Sequence, residues 1–330
     1  MKQGQRKSLM ESSIGVKVLT AVMVCLGCLP AVAQQNRIDL PDMGASADSV
    51  LSRAEEEEYA KALIRQMRAY DVLVDDPLIA NFFEDMGFRL ASHSDRPDKS
   101  FTFVVMNQDV VNAFAAPGGV IALYSGLILA ADDENEVAGV LAHEIAHVTQ
   151  RHIARAIHAS QRQSIISTAL MLGAIIAGAA GAGGDAIGGL ASVAQGTAAQ
   201  AQINFTRSNE YEADRIGIGA MHDAGFDPYG MASFFEVLSR QSPVSVETRV
   251  PEFLRTHPVT TTRISEARGR AADYPRSHLP DSIGYGVARM RALVARYDTP
   301  EAAVAYFEER DYAAQDTVER YGRAVAYQRN

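Results

Sequence analysis

His143-Glu144-Ile145-Ala146-His147 decides how this chain is read. On a helix, residues four apart share a face, so the two imidazoles can be offered to one metal ion. Glu144 follows the first His and can reach a water held there, which is the HExxH arrangement of two ligands and a general base. The flanks support a helix. Asp133 is a plausible N-cap, with Glu136 at the capping-box position. Val137, Val140, Leu141, Ile145 and Val148 then recur at helical spacing. Without a metal, two buried histidines on this apolar stripe would each need other hydrogen-bond partners.

A catalytic zinc takes three protein ligands and keeps one position open. The HExxHxxGxxH subclass is excluded, because Gln150 and Ile153 stand at its later positions. On a continuous helix His152 falls nearly opposite His143, and reads as a surface or supporting residue. The better source of a third ligand is Asn209-Glu210-Tyr211-Glu212-Ala213-Asp214. Glu210 and Asp214 share a helical face, whereas Glu212 points elsewhere. Glu210 could bind the metal and Asp214 could accept the remaining N–H of a ligand His. A solvated acidic face is the competing reading of that cluster.

Together these segments resemble the zinc metallopeptidase family that includes HtpX and the CAAX prenyl proteases. Val111-Asn112-Ala113-Phe114-Ala115-Ala116-Pro117-Gly118-Gly119 and Thr256-His257-Pro258 are similar to its periplasmic protease-chaperone branch. The resemblance covers about residues 45–275. It implies one Zn2+ per chain, held by His143, His147 and Glu210, with Glu144 as base and Asp214 behind a ligand. It also implies an α+β fold: a mainly helical, zincin-like domain with a small sheet beside the active-site helix.

His257 precedes Pro258, which biases it to extended backbone. It could be a structural loop residue, fill the fourth metal position, or stabilise an oxyanion; Arg263 is a second candidate for that last part. If His257 filled the open position, the enzyme would stay latent until its loop moved.

The chain has 330 residues, 47% hydrophobic and 22% charged, which suits a globular protein with a full core and room for two domains. A net charge of −9 and no basic patch argue against a nucleic-acid partner. Residues 1–33 read as a signal peptide: Lys2, Arg6, Lys7 and Lys17, then apolar Val18 to Leu29, then Ala31-Val32-Ala33 before Gln34. An uncleaved anchor or a lipoprotein start at Cys28 are the weaker alternatives. Cleavage after Ala33 removes both Cys25 and Cys28, leaving no thiol for a disulfide or a metal. Export with a zinc site points to a bacterial periplasm.

The remaining organisation is expected as follows. Residues 34–47 form a flexible segment and 48–280 the metallopeptidase domain. Ser49 to Tyr70 and Asp76 to Ser92 are helical, the second with Ile79, Phe82, Phe83, Met86 and Leu90 as a core stripe. Phe101 to Met106 and Val120 to Tyr124 are strands, the latter entered through Pro117-Gly118-Gly119. Val120 to Tyr124 is either an edge strand on which an extended substrate backbone pairs or an ordinary sheet member. Residues 164–202 are rich in Ala and Gly. They are read as a helical hairpin that also gates the site or touches a membrane surface. Residues 281–330 are helical, with Tyr321 to Tyr327 resembling part of a tetratricopeptide helix pair, though a solenoid needs about three repeats.

Two functions compete on this reading. The first is a periplasmic zinc endopeptidase that hydrolyses misfolded or unassembled envelope proteins, with the outer-membrane β-barrel assembly machinery as a candidate partner. The second is a chaperone or assembly factor with a latent zinc site. The intact Glu144 favours the enzyme, because a structural metal needs no base.

Overall fold

A computed structural model describes residues 52–160, 206–241, 251–277, 280–312 and 315–329. The expected signal peptide and the Ala/Gly-rich segment at 164–202 lie outside the described residues. Among the described residues the chain is mainly helical with one three-stranded sheet, the α+β class expected.

The first helix, α1 (Arg53–Ala69), starts with a capping box. The Ser52 hydroxyl accepts from Glu55 N–H, and Glu55 Oε2 accepts from Ser52 N–H at 2.9 Å. The next, α2 (Pro77–Ala91), has Pro at its start and the Asp76 side chain as cap, accepting from Leu78 N–H at 3.0 Å. Its Ile79, Phe83, Met86 and Leu90 are buried, and Phe82 packs partly buried against Tyr285.

Three strands follow: β1 (Thr102–Met106), β2 (Ala113–Ala116) and β3 (Val120–Tyr124). The order is β1-β3-β2, with β1 parallel and β2 antiparallel to β3. Side chains alternate across it as a period of two demands. Phe103, Val105, Ile121 and Leu123 enter the main core with α2, while Val104, Met106, Ala122 and Tyr124 join Met67 of α1 on the other face. Of the two readings of Val120 to Tyr124, the ordinary sheet member holds and the edge strand does not: β3 is the central strand, and among the described residues the edges are β1 and β2. β2 and β3 are joined through Gly118 and Gly119, both with φ near +80°, where a β-carbon would be strained.

After the short α3 (Ser125–Ala130) comes α4 (Glu134–Thr149), which carries the HExxH residues. Asp133 caps it by accepting from Glu136 N–H at 3.0 Å. Glu136 reaches back one residue further than a capping box, accepting from Asp132 N–H at 2.7 Å. Nearly all of α4 is buried, between α2 and the sheet on one side and later helices on the other. Such enclosure excludes water around whatever the helix presents.

Arg151 then adopts the left-handed region (φ 55°) and breaks the helix before a second segment, α5 (152–160). Beyond 205 follow α6 (206–223), α7 (Tyr229–Gln241), α8 (Glu252–Thr256) and α9 (Thr261–Ala271). Three helices complete the chain: α10 (Ile283–Ala295), α11 (Pro300–Glu308) and α12 (Thr317–Arg329). Tyr285, Ala288 and Ala292 of α10 belong to the main core, whereas its Met290 and Val294 form a small separate cluster with Ala303, Val304, Phe307 and Ala326. No helix among the described residues is long and apolar enough to cross a membrane.

Candidate metal centre

Four elements aim side chains at one point. α4 supplies His143, Glu144 and His147; α6 supplies Glu210; the C-cap of α8 supplies His257; α9 supplies Arg263. His143, Glu144, Glu210, His257 and Arg263 are all buried. His257 is held by its backbone N–H, which donates to Phe253 O at 2.8 Å, and by stacking on the Phe253 ring at 4.7 Å. Phe253 N–H in turn bonds Val111 O, tying α8 to the loop before β2.

His143, His147, Glu210 and His257 each place a ligand atom within 4.8 Å of the other three. His143 Nε2 is 3.0 Å from His147 Nε2 and 3.2 Å from His257 Nδ1. Glu210 lies 3.4 Å from both His143 Nε2 and His147 Nε2, and 3.1 Å from His257 Nδ1. A tetrahedral zinc with ligand bonds of about 2.0–2.1 Å has edges of about 3.4 Å. The five spacings of 3.0 to 3.4 Å are close to such edges, with Glu210 turning Oε2 to His143 and His257 and Oε1 to His147. The donor set, three imidazoles and a carboxylate, suits the same ion.

The outward atoms of the ligands have partners of their own. His143 Nδ1 is 2.9 Å from Asp214 Oδ1, short but off the axis of an ideal hydrogen bond. His147 Nδ1 meets His152 Nδ1 at 2.9 Å. Arg263 forks onto Asp214, with Nε to Oδ2 at 2.8 Å and Nη2 to Oδ1 at 2.7 Å, and its Nη1 donates to Glu210 Oε2 at 3.0 Å. Its guanidinium is thus turned toward the two carboxylates and Pro258 O. Glu144 Oε1 is buried without a hydrogen-bond partner and lies 3.4 Å from His257 Nε2.

Among the protein groups alone, charge is strongly coupled. Burial would lower His143, but Asp214 and Glu210 raise it to about 9. Burial and the neighbouring His143 and His257 push His147 well below the usual histidine range. Against the pull of burial, His143 and His257 hold Glu210 far below the usual carboxylate range, and His143 and Arg263 hold Asp214 low. Both acids are therefore anionic, the state a cation requires.

Of the two readings of His152, surface or supporting residue, the second holds, and Glu212, off the face of Glu210 and Asp214, is its partner. His152 is buried and touches a ligand histidine. Glu212, expected to point away, meets His152 Nε2 at 3.2 Å and Arg155 Nη1 at 2.8 Å. The left-handed Arg151 is the reason: it turns α5 so that His152 comes back over His147.

A buried helix-borne HExxH, a carboxylate from a distant helix and an unpartnered glutamate oxygen beside them define a metallohydrolase of the gluzincin kind. Residues 80–271 match the model of peptidase family M48, and the chain belongs to that family. It is 40% identical over 281 residues to the beta-barrel assembly-enhancing protease of Escherichia coli K12, covering 84% of this chain and 56% of that protein. It is 39% identical over 298 residues to the protein of that name in Yersinia pestis, covering 87% and 59%. Metalloprotease LoiP of Escherichia coli K12 is 32% identical over 169 residues, covering 51% and 61%. The chain thus spans little more than half the length of the beta-barrel assembly-enhancing proteases it matches here.

Proposed function

We propose that this chain is a zinc-dependent endopeptidase of the bacterial periplasm that hydrolyses misfolded or unassembled envelope proteins. The observation that carries it is the buried convergence of His143, His147, Glu210 and His257 with Glu144 Oε1 alongside and unbonded. His143, His147 and Glu210 would hold the ion. When bound, zinc lowers the pKa of its water toward ~7 and polarises the scissile carbonyl. Glu144 takes a proton from the attacking water and returns it to the leaving amine. Asp214 orients His143, and Arg263 neutralises and fixes Asp214 and Glu210 rather than serving an oxyanion.

His257 is the regulatory element of this reading. In the position described, its Nδ1 completes the ligand set and its Nε2 faces Glu144, so the reacting water has no place. Displacing the α8 cap opens the site and frees the imidazole to stabilise the oxyanion. That closed arrangement also supports the second reading, an assembly factor or chaperone with a latent site.

Substrate backbone would pair with the free edge of β2, which lies against α4. Main-chain pairing carries little sequence preference, which suits unfolded chains. A cleft of about 490 Å³ beside Glu210 and Arg263, lined by Tyr211, Pro258, Thr260 and Thr262, offers room for a side chain. The names of the M48 relatives from Escherichia coli and Yersinia pestis make the β-barrel assembly machinery the first partner to test. The domain plan proposed is a signal peptide at 1–33, a linker at 34–47, a peptidase domain at 48–280 and a helical tail at 281–330. Within it, 164–202, outside the described residues, is proposed as a helical hairpin that gates the site or touches a membrane surface.

Degradation of casein by the protein lacking residues 1–33 tests the activity, with zinc, with a chelator, and as Glu144→Gln. Zinc-dependent cleavage that falls at least about 100-fold in Glu144→Gln, with zinc content unchanged, is expected. Cleavage retained in that variant refutes the assignment of the base.

A further inference from the structure

His147 and His143 are oriented by different means. Behind His143 stands a carboxylate, Asp214. Behind His147 stands another imidazole, His152, and only behind that a carboxylate, Glu212. With His147 Nε2 turned to the centre, its Nδ1 carries the proton and can only donate. His152 Nδ1 then accepts at 2.9 Å, which leaves the proton of His152 on Nε2, facing Glu212 Oε2 at 3.2 Å. Every ring nitrogen in this row has a role in one consistent set of tautomers. The row is enclosed, since His152 is only 3% exposed. Its outer end is anchored by Arg155 Nη1, 2.8 Å from Glu212 Oε2.

We infer that His152 and Glu212 form a positioning relay that fixes the tautomer and ring orientation of His147 as a metal ligand. The inference rests on the metal-centre reading of His143, His147 and Glu210. Its physical basis is that an imidazole whose distal N–H is engaged is a stronger and better-aimed donor. The relay places both second partners, Asp214 and Glu212, on α6, the helix that also carries Glu210.

Zinc affinity by chelator competition and the visible spectrum of the Co2+-substituted protein test it, on the intact chain with His152→Ala, His152→Gln, Glu212→Gln and Glu212→Ala. In His152→Ala the zinc Kd rises about 10- to 100-fold and the cobalt bands shift in position and intensity. His152→Gln keeps a side-chain oxygen able to accept from His147 Nδ1–H, so most of the affinity and the native bands return. Glu212→Gln keeps an oxygen able to accept from His152 Nε2–H and leaves zinc affinity near that of the unmodified protein, whereas Glu212→Ala weakens zinc several-fold. A zinc Kd and cobalt spectrum in His152→Ala identical to the unmodified protein overturn the relay. If His152→Ala does not fold, an unchanged Kd and spectrum in Glu212→Ala, which removes the oxygen that accepts from His152 Nε2–H, overturn it. Failure of the unmodified protein to take up either ion would instead refute the metal centre on which it rests.

Discussion

Glu144 is a carboxylate whose Oε1 is buried with no hydrogen-bond partner, a situation that ordinarily costs about 1–3 kcal/mol or more. That cost is tolerable where a reacting water is to be received. His257 Nε2 lies 3.4 Å across the gap, so His257 decides whether the place is open. His257→Ala should therefore retain zinc on three ligands with altered affinity, and change casein turnover by several-fold: upward where relief of the closed site dominates, downward where loss of the oxyanion partner does. Equal zinc affinity and equal turnover in the two proteins would remove His257 from the site. At this scale the sequence was informative where spacing is local. His143, Glu144 and His147 follow from i, i+4 geometry, and Glu210 and Asp214 from the same rule. That His152 supports His147 was only half legible: the sequence left it as a surface or supporting residue, because the wheel argument assumes an unbroken helix and a single left-handed residue, Arg151, breaks it. The roles of Arg263 and Glu212 were hidden for a different reason: both depend on partners supplied by another helix.

At the level of elements, α4 is held by close helix contacts that leave no room for a side chain. A β-carbon at Gly139 would stand 2.8 Å from Met231 Cα and 2.9 Å from Met231 N, both backbone atoms of α7. Gly139→Ala gains about 1 kcal/mol of helix propensity, yet forcing the two backbones apart costs about 1–3 kcal/mol. The expected outcome is a Tm lower by a few degrees despite a better helix former; an unchanged or higher Tm would show that α7 yields freely. The elements themselves were largely readable. The cap at Asp133 and the apolar stripes announced α2 and α4, and Phe101 to Met106 and Val120 to Tyr124 announced β1 and β3. β2 escaped because Ala113-Phe114-Ala115-Ala116 is poor in β-branched residues, so pairing with β3, not propensity, makes it a strand. The order β1-β3-β2 is a nonlocal property, which is why the sequence left open whether Val120 to Tyr124 is an edge strand or an ordinary sheet member.

For the whole molecule, the C-terminal helices are not independent of the site. α10 buries Tyr285, Ala288 and Ala292 in the main core, and Arg291 of the same helix pairs with Asp76, the cap of α2. Ending the chain after Asp298 keeps these contacts, so a folded, zinc-binding protein of reduced stability is expected. Ending it after Arg276 uncovers α2 and should give insoluble protein. Equal solubility and zinc content in the two truncations, measured side by side, would show that α10 is dispensable. The three acids that serve the centre sit at alternate positions of a single helix, Glu210, Glu212 and Asp214 on α6. None can be moved without the others. An advance of α6 by one residue along its screw, about 1.5 Å and 100°, would withdraw all three charges at once. The spectrum of a bound cobalt ion would then serve as a gauge of that helix's axial position, readable without any substrate.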